Sequence, residues 1–247
     1  MVRRFVFLFL LFAVACSSNK TSPVPVVKSE AGVAVIDPAT ITAGPSLITG
    51  DQQLLINTVA QKLLAYDEQQ AIQVARSLRF AGGQEDPSNM CGPLSLYILR
   101  QAGIVASTTP LHSFWLLNPR VNRKLINEIL PPNDFYDWRF KIPLNEFNFQ
   151  TFPLQPGDFL YIYAGRNGNF DHMLVVNRVD DAGRAFAVTN FDVAPKSFVI
   201  QEVMLYDPSA PGKGKFYDWT NFKNWRLGLT GFGGFEVWRR KTPLPLP

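Results

Sequence analysis

Apolar residues recur at helical spacing from about residue 51 onward. Those between Leu54 and Leu64, and again between Ile72 and Leu78, fall mainly three or four positions apart and predict two amphipathic helices. A third helix is expected over 94–102, with Pro93 in its first turn, where a proline is tolerated because that N–H has no helical partner. Two shorter helices are expected at 111–117 and 121–130.

After Pro131 and Pro132 the period of the apolar positions shifts towards two. This alternation predicts strands at 159–163, 172–179, 185–190, 197–206 and 235–239. Asp180-Asp181-Ala182-Gly183 has the composition of a hairpin turn between the second and third of these strands. Helices followed by antiparallel strands indicate an α+β domain.

The N-terminus has the composition of an export signal. A basic start (Met1 to Arg4) precedes an apolar run at 5–12, which is too short to span a bilayer but is typical of a secretory signal peptide. Ala13-Val14-Ala15-Cys16 resembles the lipobox of bacterial lipoproteins, where the signal is removed and the cysteine is acylated. An ordinary signal peptide cut near Ala15, or a short buried helix, is the alternative.

These features divide the chain into three parts. Residues 1–15 are the expected lipoprotein signal peptide, 16–50 a tether rich in Ser, Thr, Pro, Val and Ala, and 51–247 the folded domain. The expected location is outside the cytoplasm, on a bacterial membrane, held by acyl chains on Cys16.

Length and charge narrow the function classes. The chain has 247 residues and 47% hydrophobic content, which suits one good-sized core. Its formal charge of +4 falls to +2 once Arg3 and Arg4 leave with the signal peptide. A protein that binds nucleic acid is expected to carry a concentrated basic stripe, so this charge balance gives no case for nucleic acid as a partner.

The two cysteines make Cys91 a candidate nucleophile. If Cys16 carries lipid, Cys91 has no intramolecular partner, and a lone thiol in an exported protein is a candidate reactive group. Cys91 also stands just before the third predicted helix, where unpaired N–H groups and the positive helix end stabilise a thiolate. The alternative is a buried cysteine that acts as a small hydrophobe.

Of the two histidines, His172 is the better candidate base. His112 lies in a mostly apolar helical stretch and is expected to be structural, whereas His172 opens an apolar strand after a loop rich in Gly and Asn. A solvated histidine at a strand end is the alternative. The predicted hairpin places His172 opposite Phe191, so Asn190 is expected to orient the imidazole, with Asp192 as the reserve residue.

Gln84 and the remaining polar motifs complete the candidate chemistry. Gln84 is a candidate to donate its amide to an oxyanion beside the Cys91 backbone N–H, although a loop glutamine needs no such role. One free cysteine and two scattered histidines are too few for a zinc site, so no metal and no cofactor are expected. The aromatic residues at 217, 219, 222 and 225 are expected in the core, with a substrate groove as the alternative.

Three motifs carry a resemblance to papain-like cysteine hydrolases. Asn-Met-Cys-Gly-Pro-Leu-Ser at 89–95 resembles the nucleophile helix of papain-like peptidases, especially the double-glycine leader peptidases. Leu-Gln-Pro-Gly-Asp-Phe-Leu-Tyr at 154–161 is similar to the Pro-Gly-Asp strand of NlpC-type and CHAP cell-wall hydrolases, in which the base histidine follows on the next strand, as His172 does. The chain departs from these families at Gln84, one residue further from the cysteine than in papain, and at Met90, where NlpC-type enzymes carry Asp.

The resemblance implies a fold and a reaction. It implies a papain-like α+β domain with N-terminal helices and the nucleophile at a helix N-terminus packed on an antiparallel sheet. Cys91 would attack an amide and form a thioester, His172 would accept and return the proton, and Asn190 would hold the imidazole tautomer. The implied substrate is a peptide, in particular a peptidoglycan stem peptide. The rival class is a non-catalytic envelope lipoprotein that uses the same fold for binding.

The lipobox interpretation predicts the effect of one substitution. Cys16→Ala should abolish labelling of the protein by a fatty-acid probe and leave it soluble or uncleaved, because the acylated atom is gone. Labelling of the expressed protein, read on a gel, checks this. Unchanged labelling of the Cys16→Ala protein would contradict the lipid anchor.

Overall fold

Helices occupy the first part of the computed structural model and antiparallel strands the second. The structure describes residues 43–78, 87–165, 171–194, 197–220 and 230–243, all within the compact unit Val33–Pro247. The signal peptide, Cys16, most of the tether and Gln84 lie outside the described residues. In this part of the chain the helices are α1 (Gly50–Gln61), α2 (Glu68–Ser77), α3 (Cys91–Gln101), α4 (Arg123–Ile129) and α5 (Lys215–Thr220). The strands are β1 (Phe135–Phe140), β2 (Phe159–Ala164), β3 (His172–Val175), β4 (Arg178–Val179), β5 (Ala185–Ala194), β6 (Ser197–Tyr206) and β7 (Thr230–Arg240).

The helical pattern predicts the first helices well, and their starts have local causes. Thr49 caps α1 in a reciprocal capping box with Gln52, and the Asp67 side chain accepts the Gln70 N–H at the start of α2. The helix expected at 111–117 is reduced to a single 3₁₀ turn, Phe114–Leu117. Helix α5 and strand β1 are additional elements. The six residues of α5 are too few to show a period. Strand β1 was missed although its residues 136–140 alternate between aromatic and charged side chains.

The strands form two antiparallel sheets, which confirms the α+β class. The order in the first sheet is β1-β7-β2-β3, and in the second it is β4-β5-β6. The single strand expected at 172–179 is divided between them. Val176 N–H donates to the Asp158 carbonyl beside the first sheet, whereas Asn177 N–H donates to the Phe186 carbonyl of the second. The chain therefore changes sheets at these two residues.

Helix α3 packs directly on β3, and this contact sets the position of Cys91. Gly92, the second residue of α3, lies so close to the sheet that an added Cβ would be 2.7 Å from Leu117 Cδ1 and 3.2 Å from Met173 Cε. A larger residue would have to displace the ends of these two side chains, one on the 114–117 turn and one on β3. The glycine of the Cys-Gly-Pro motif therefore brings the N-terminus of α3 against the strand that begins with His172.

The folded domain begins earlier than residue 51, the boundary expected from composition. Ser46 N–H donates to Gln155 Oε1 (2.6 Å), and Leu47 N–H donates to the Arg240 carbonyl (3.1 Å). Ile48 is a core residue, 6% exposed. Residues 46–48 are thus part of the domain because their backbone and side chains are bound to it, and the tether ends before them.

A buried ion pair joins the ends of β2 and β7. Arg239 Nε lies 2.8 Å from Asp158 Oδ1, and Arg239 Nη2 lies 2.6 Å from Asp158 Oδ2. Both side chains are fully buried. The guanidinium also donates to the carbonyls of Gly44 and Pro153, and Asp158 Oδ2 accepts the Gln155 N–H. Every partner that a buried bidentate pair requires is therefore in place.

Arg239→Ala should strongly destabilise the domain. The substitution leaves the Asp158 carboxylate buried without its cation, a change that costs about 3–5 kcal/mol in proteins. Urea unfolding of the two proteins measures the difference in free energy. Arg184→Ala is the control, because its ion pair with Asp180 is largely exposed. Equal losses in the two variants would show that the buried pair does not carry this stability.

Candidate active site

Cys91 is the first residue of α3, as expected, and it is buried. Its side chain is 3% exposed, and Met90, the residue before the helix, provides no side-chain cap. The backbone of Met173 on β3 and of Gly92 forms hydrogen bonds with the thiol. The sulfur is therefore held between the start of the helix and the start of β3.

Burial makes the thiol neutral, which corrects the expectation of a thiolate. Loss of solvation raises the pKa of Cys91 to about 12, and the nearby Asp171 carboxylate raises it further. Backbone hydrogen bonds from Met173 on β3 and from Gly92 and Cys91 at the helix start lower the pKa but do not compensate for the burial. In the described conformation Cys91 is thus a protonated thiol at neutral pH.

His172 is also neutral. It is the first residue of β3, paired with Ile162 of β2, and burial lowers the pKa of its imidazole to about 4. Its Nε2 is hydrogen bonded to Thr189 Oγ1 on β5 (2.8 Å). The Trp219 ring packs edge-on against the imidazole at 5.0 Å between centroids. When Nε2 carries the ring proton and donates it to Thr189, Nδ1 becomes the basic nitrogen.

Thr189 therefore occupies the position that the sequence assigned to Asn190. Asn190 Nδ2 donates instead to the Ser88 carbonyl (2.5 Å), and Asn190 Oδ1 is buried without a hydrogen-bond partner among the described residues. The strand pairing predicted by counting from the 180–183 turn is wrong at His172. The chain changes sheets between β3 and β4, so the pairing of β4 with β5 does not extend back to His172. The reserve residue, Asp192, lies in the cavity wall.

Asp171 is a further site residue that spacing alone did not single out. Its Oδ2 accepts the Tyr161 hydroxyl (2.7 Å) and lies 3.5 Å from Asn118 Nδ2, while its Oδ1 accepts the Ala164 N–H (2.7 Å). These bonds attach the residue before His172 to the end of β2. The sequence feature that could have identified Asp171 is its position directly before the candidate base.

One cavity is lined by four of the candidate residues, Cys91, His172, Asn190 and Asp192. Cys91 and His172 both line a space of about 210 Å³, together with Asn190, Asp171 and Trp219. His112 is not among the described residues that line this cavity. A larger groove of about 320 Å³ beside Phe149 and Tyr206 is lined, among the described residues, by neither cysteine nor histidine.

The described residues contain no group of three or more His, Cys, Asp or Glu side chains that could hold a metal ion. Within the same ranges, no helix has the length and apolar character needed to cross a membrane.

Trp219→Ala should raise the pKa of His172. The indole ring shields the imidazole, and its removal admits water that stabilises the charged form. NMR titration of the His172 ring should give a midpoint near 4 in the unchanged protein and a clearly higher one in the variant. Tyr217→Ala, on the same helix, is the matched control and should leave the midpoint in place. A His172 midpoint near 6.5 in the unchanged protein would contradict the described burial.

The cavity thus unites a thiol, an imidazole with one nitrogen engaged by a hydroxyl, and carboxylates. A thiol within hydrogen-bond reach of a neutral imidazole can act as a nucleophile whose proton passes to the ring during attack. Comparison of the chain with protein-family models, with curated proteins and with solved structures finds no match in any of the three.

Proposed function

We propose that the chain is a papain-like cysteine peptidase or amidase that hydrolyses amide bonds through a thioester. One observation carries the proposal: the first residue of α3, Cys91, and the first residue of β3, His172, line the same cavity, and Thr189 engages the ring nitrogen Nε2. In the tautomer whose Nε2–H donates to Thr189, Nδ1 is the nitrogen that can accept the thiol proton. A nucleophile, a base and a residue that orients the base are the components of such a site.

The reaction follows from these roles. The Cys91 sulfur attacks the amide carbonyl carbon while its proton passes to His172 Nδ1, and the carbonyl oxygen becomes an oxyanion. The C–N bond then breaks, and the leaving amine takes the proton from His172. Water then attacks the resulting thioester, and His172 accepts a proton from that water. The C–S bond breaks, His172 returns the proton to the Cys91 sulfur, and the carboxylic acid is released. Thr189 holds the imidazole ring in place through its hydrogen bond to Nε2.

The neutral pair in the described conformation is the resting state in this proposal. With the pKa of the thiol near 12 and that of the imidazole near 4, proton transfer between them is unfavourable before substrate binds. A polar substrate placed beside Cys91 changes the solvation of both groups. The chemistry is therefore general-base catalysis that begins from a thiol, rather than attack by a preformed thiolate.

Location suggests the substrate class. A protein exported and anchored by lipid on Cys16 meets the peptides of the cell envelope, and the resemblance to cell-wall hydrolases favours peptidoglycan stem peptides. Both the anchor and the substrate belong to this proposal.

A non-catalytic binding protein is the second candidate. The observation that favours it is the burial of Cys91, because a thiol that is 3% exposed and protonated also suits a purely structural role. In that case the cavity would bind a ligand without cleaving it.

Incubation of the purified protein with muropeptides, followed by mass spectrometry, tests the proposal. The unchanged protein should release new amine and carboxyl termini, and Cys91→Ala and His172→Ala should abolish this release. Thr189→Val removes one hydroxyl and keeps the side-chain shape. It should lower kcat by roughly 10-fold, which is less than the ~10²–10⁴-fold that a general base contributes. His112→Ala is the control and should retain activity. Turnover that survives Cys91→Ala would overturn the assignment.

A further inference from the structure

Three large apolar side chains are exposed on one short segment of the domain. Trp115 is 66% exposed, Leu116 47% and Val121 79%. Asn118 links them, because its N–H donates to the Trp115 carbonyl (3.4 Å) and its carbonyl accepts the Val121 N–H (3.0 Å). Single exposed apolar residues are common, but several on one short segment mark a surface that binds something. We call residues 115–124 the Trp115 surface.

The exposed charges of the Trp115 surface are basic. Residues 87–127 contain no aspartate or glutamate. The Arg120 guanidinium lies 3.8 Å from the centre of the Tyr163 ring and forms no ion pair within the described part of the chain. Lys124 is 89% exposed, and its pair with the exposed Glu128 is weak, at 4.0 Å. Two cationic side chains are therefore available beside the apolar ones.

This combination of side chains matches the surface of a lipid bilayer. Tryptophan is favoured at the boundary between water and hydrocarbon, and aliphatic side chains beside it enter the acyl region. Lysine and arginine are attracted to anionic headgroups, each by a similar amount. The aromatic ring, the aliphatic side chains and the two free cations of the Trp115 surface supply each of these contacts.

The start of the domain provides a second argument for a bilayer. Ala43, the first described residue, follows Cys16 by 43 − 16 = 27 positions, and a chain of that length spans at most about 90 Å. A domain anchored through Cys16 therefore stays close to the membrane, where a surface of modest affinity is enough to bind it.

We propose that the Trp115 surface binds an anionic lipid bilayer. Its three apolar side chains enter the interface, and its two free cationic groups contact headgroup phosphates. The contact is reversible, and it orients a domain that the tether alone would leave free to rotate.

The Trp115 surface also borders the candidate active site. Phe114 lines the Cys91 cavity, and its ring packs edge-on against the Trp115 ring at 5.1 Å between centroids. Binding of this surface therefore brings one wall of the cavity close to the bilayer and favours substrates at the membrane. This consequence rests on the proposed hydrolase function, as the tether argument rests on the proposed anchor, whereas lipid binding itself can be measured without either.

Co-sedimentation of the chain with vesicles tests the inference. The protein is the expected mature chain, 16–247, with Cys16→Ala, so that it carries neither signal peptide nor acyl chains. The residues left out precede the compact unit Val33–Pro247. This protein should bind vesicles of phosphatidylglycerol mixed with phosphatidylcholine at least about 10-fold more tightly than vesicles of phosphatidylcholine alone, as expected for two cationic side chains at an anionic surface.

Matched variants assign the binding to the Trp115 surface. Trp115→Ala should weaken binding to the mixed vesicles by about 10-fold or more, because a large ring no longer leaves water. Tyr66→Ala is the control, because Tyr66 is an aromatic residue that is also 66% exposed but lies next to the bridge between Ala65 and β6. Arg120→Gln combined with Lys124→Gln should weaken binding to the mixed vesicles only.

Trp115→Phe tests whether this side chain enters the bilayer. The substitution keeps a large apolar ring and removes the indole fluorophore. Lipids with brominated acyl chains should quench part of the tryptophan fluorescence of the unchanged protein. The Trp115→Phe protein should still bind, within a few-fold, and lose that quenching. Equal quenching of the two proteins would place a different tryptophan in the bilayer and contradict the inference.

Three further outcomes would overturn the inference. The first is the absence of binding to either kind of vesicle, and the second is an equal loss of binding in the Trp115→Ala and Tyr66→Ala proteins. The third is a dimer, seen by analytical ultracentrifugation, that Trp115→Ala dissociates, because the surface would then bind a second copy of the chain. Failure to bind lipid leaves the hydrolase proposal unaffected, and lipid binding by a protein that cleaves no peptide supports this inference while the hydrolase proposal falls.

Discussion

The buried Asp158–Arg239 pair is the interaction on which the position of the candidate site depends. Asp158 ends the Pro-Gly-Asp turn directly before β2, and Arg239 lies near the end of β7, so the pair fixes these strands at one end of the first sheet. Gly157 completes the turn with a φ of +86°, and an added Cβ there would lie 2.2 Å from Ile48 Cδ1. The motif is therefore structural in this chain. Strand β2 in turn pairs Ile162 with His172, so the buried pair sets the register of the strand that carries the candidate base.

A second set of charges, centred on the buried Glu236, stabilises the same sheet. Glu236 on β7 is fully buried, accepts the Tyr163 hydroxyl and is paired with Arg123 at 2.6 Å. Arg123 also binds Asp137 on β1, whose pKa is raised to about 6 by burial and by the charge of Glu236. Helix α4 and the strands β1, β2 and β7 are thus joined by charge as well as by apolar contact. The alternation of aromatic and charged residues along β1 fits this arrangement, because Asp137 and Arg139 form ion pairs while the aromatic residues between them pack in the core.

The sequence predicts those parts of the fold that depend on short-range chemistry. The α+β class, helices α1 to α4 and most strands follow from periodicity and capping, and Cys91 stands at a helix start because Gly92 and Pro93 suit a first turn. His172 at the start of a strand follows from the same reasoning. The resemblance to papain-like hydrolases rests on these local motifs, and it therefore enters the functional argument as a proposal.

The rest depends on where the chain crosses between sheets, and no local pattern encodes that. Val176 and Asn177 are apolar and polar in the order that one continuous strand would show, yet their backbone groups bond to different sheets. This crossing moves Thr189 to the imidazole and Asn190 to Ser88, and it encloses Cys91 and His172 deeply enough to make both neutral. The helix dipole lowers the pKa of the Cys91 thiol, whereas burial raises it. Of these two effects, only burial depends on tertiary packing. Residue identity can therefore nominate a nucleophile and a base, whereas their protonation and partners are properties of the assembled cavity.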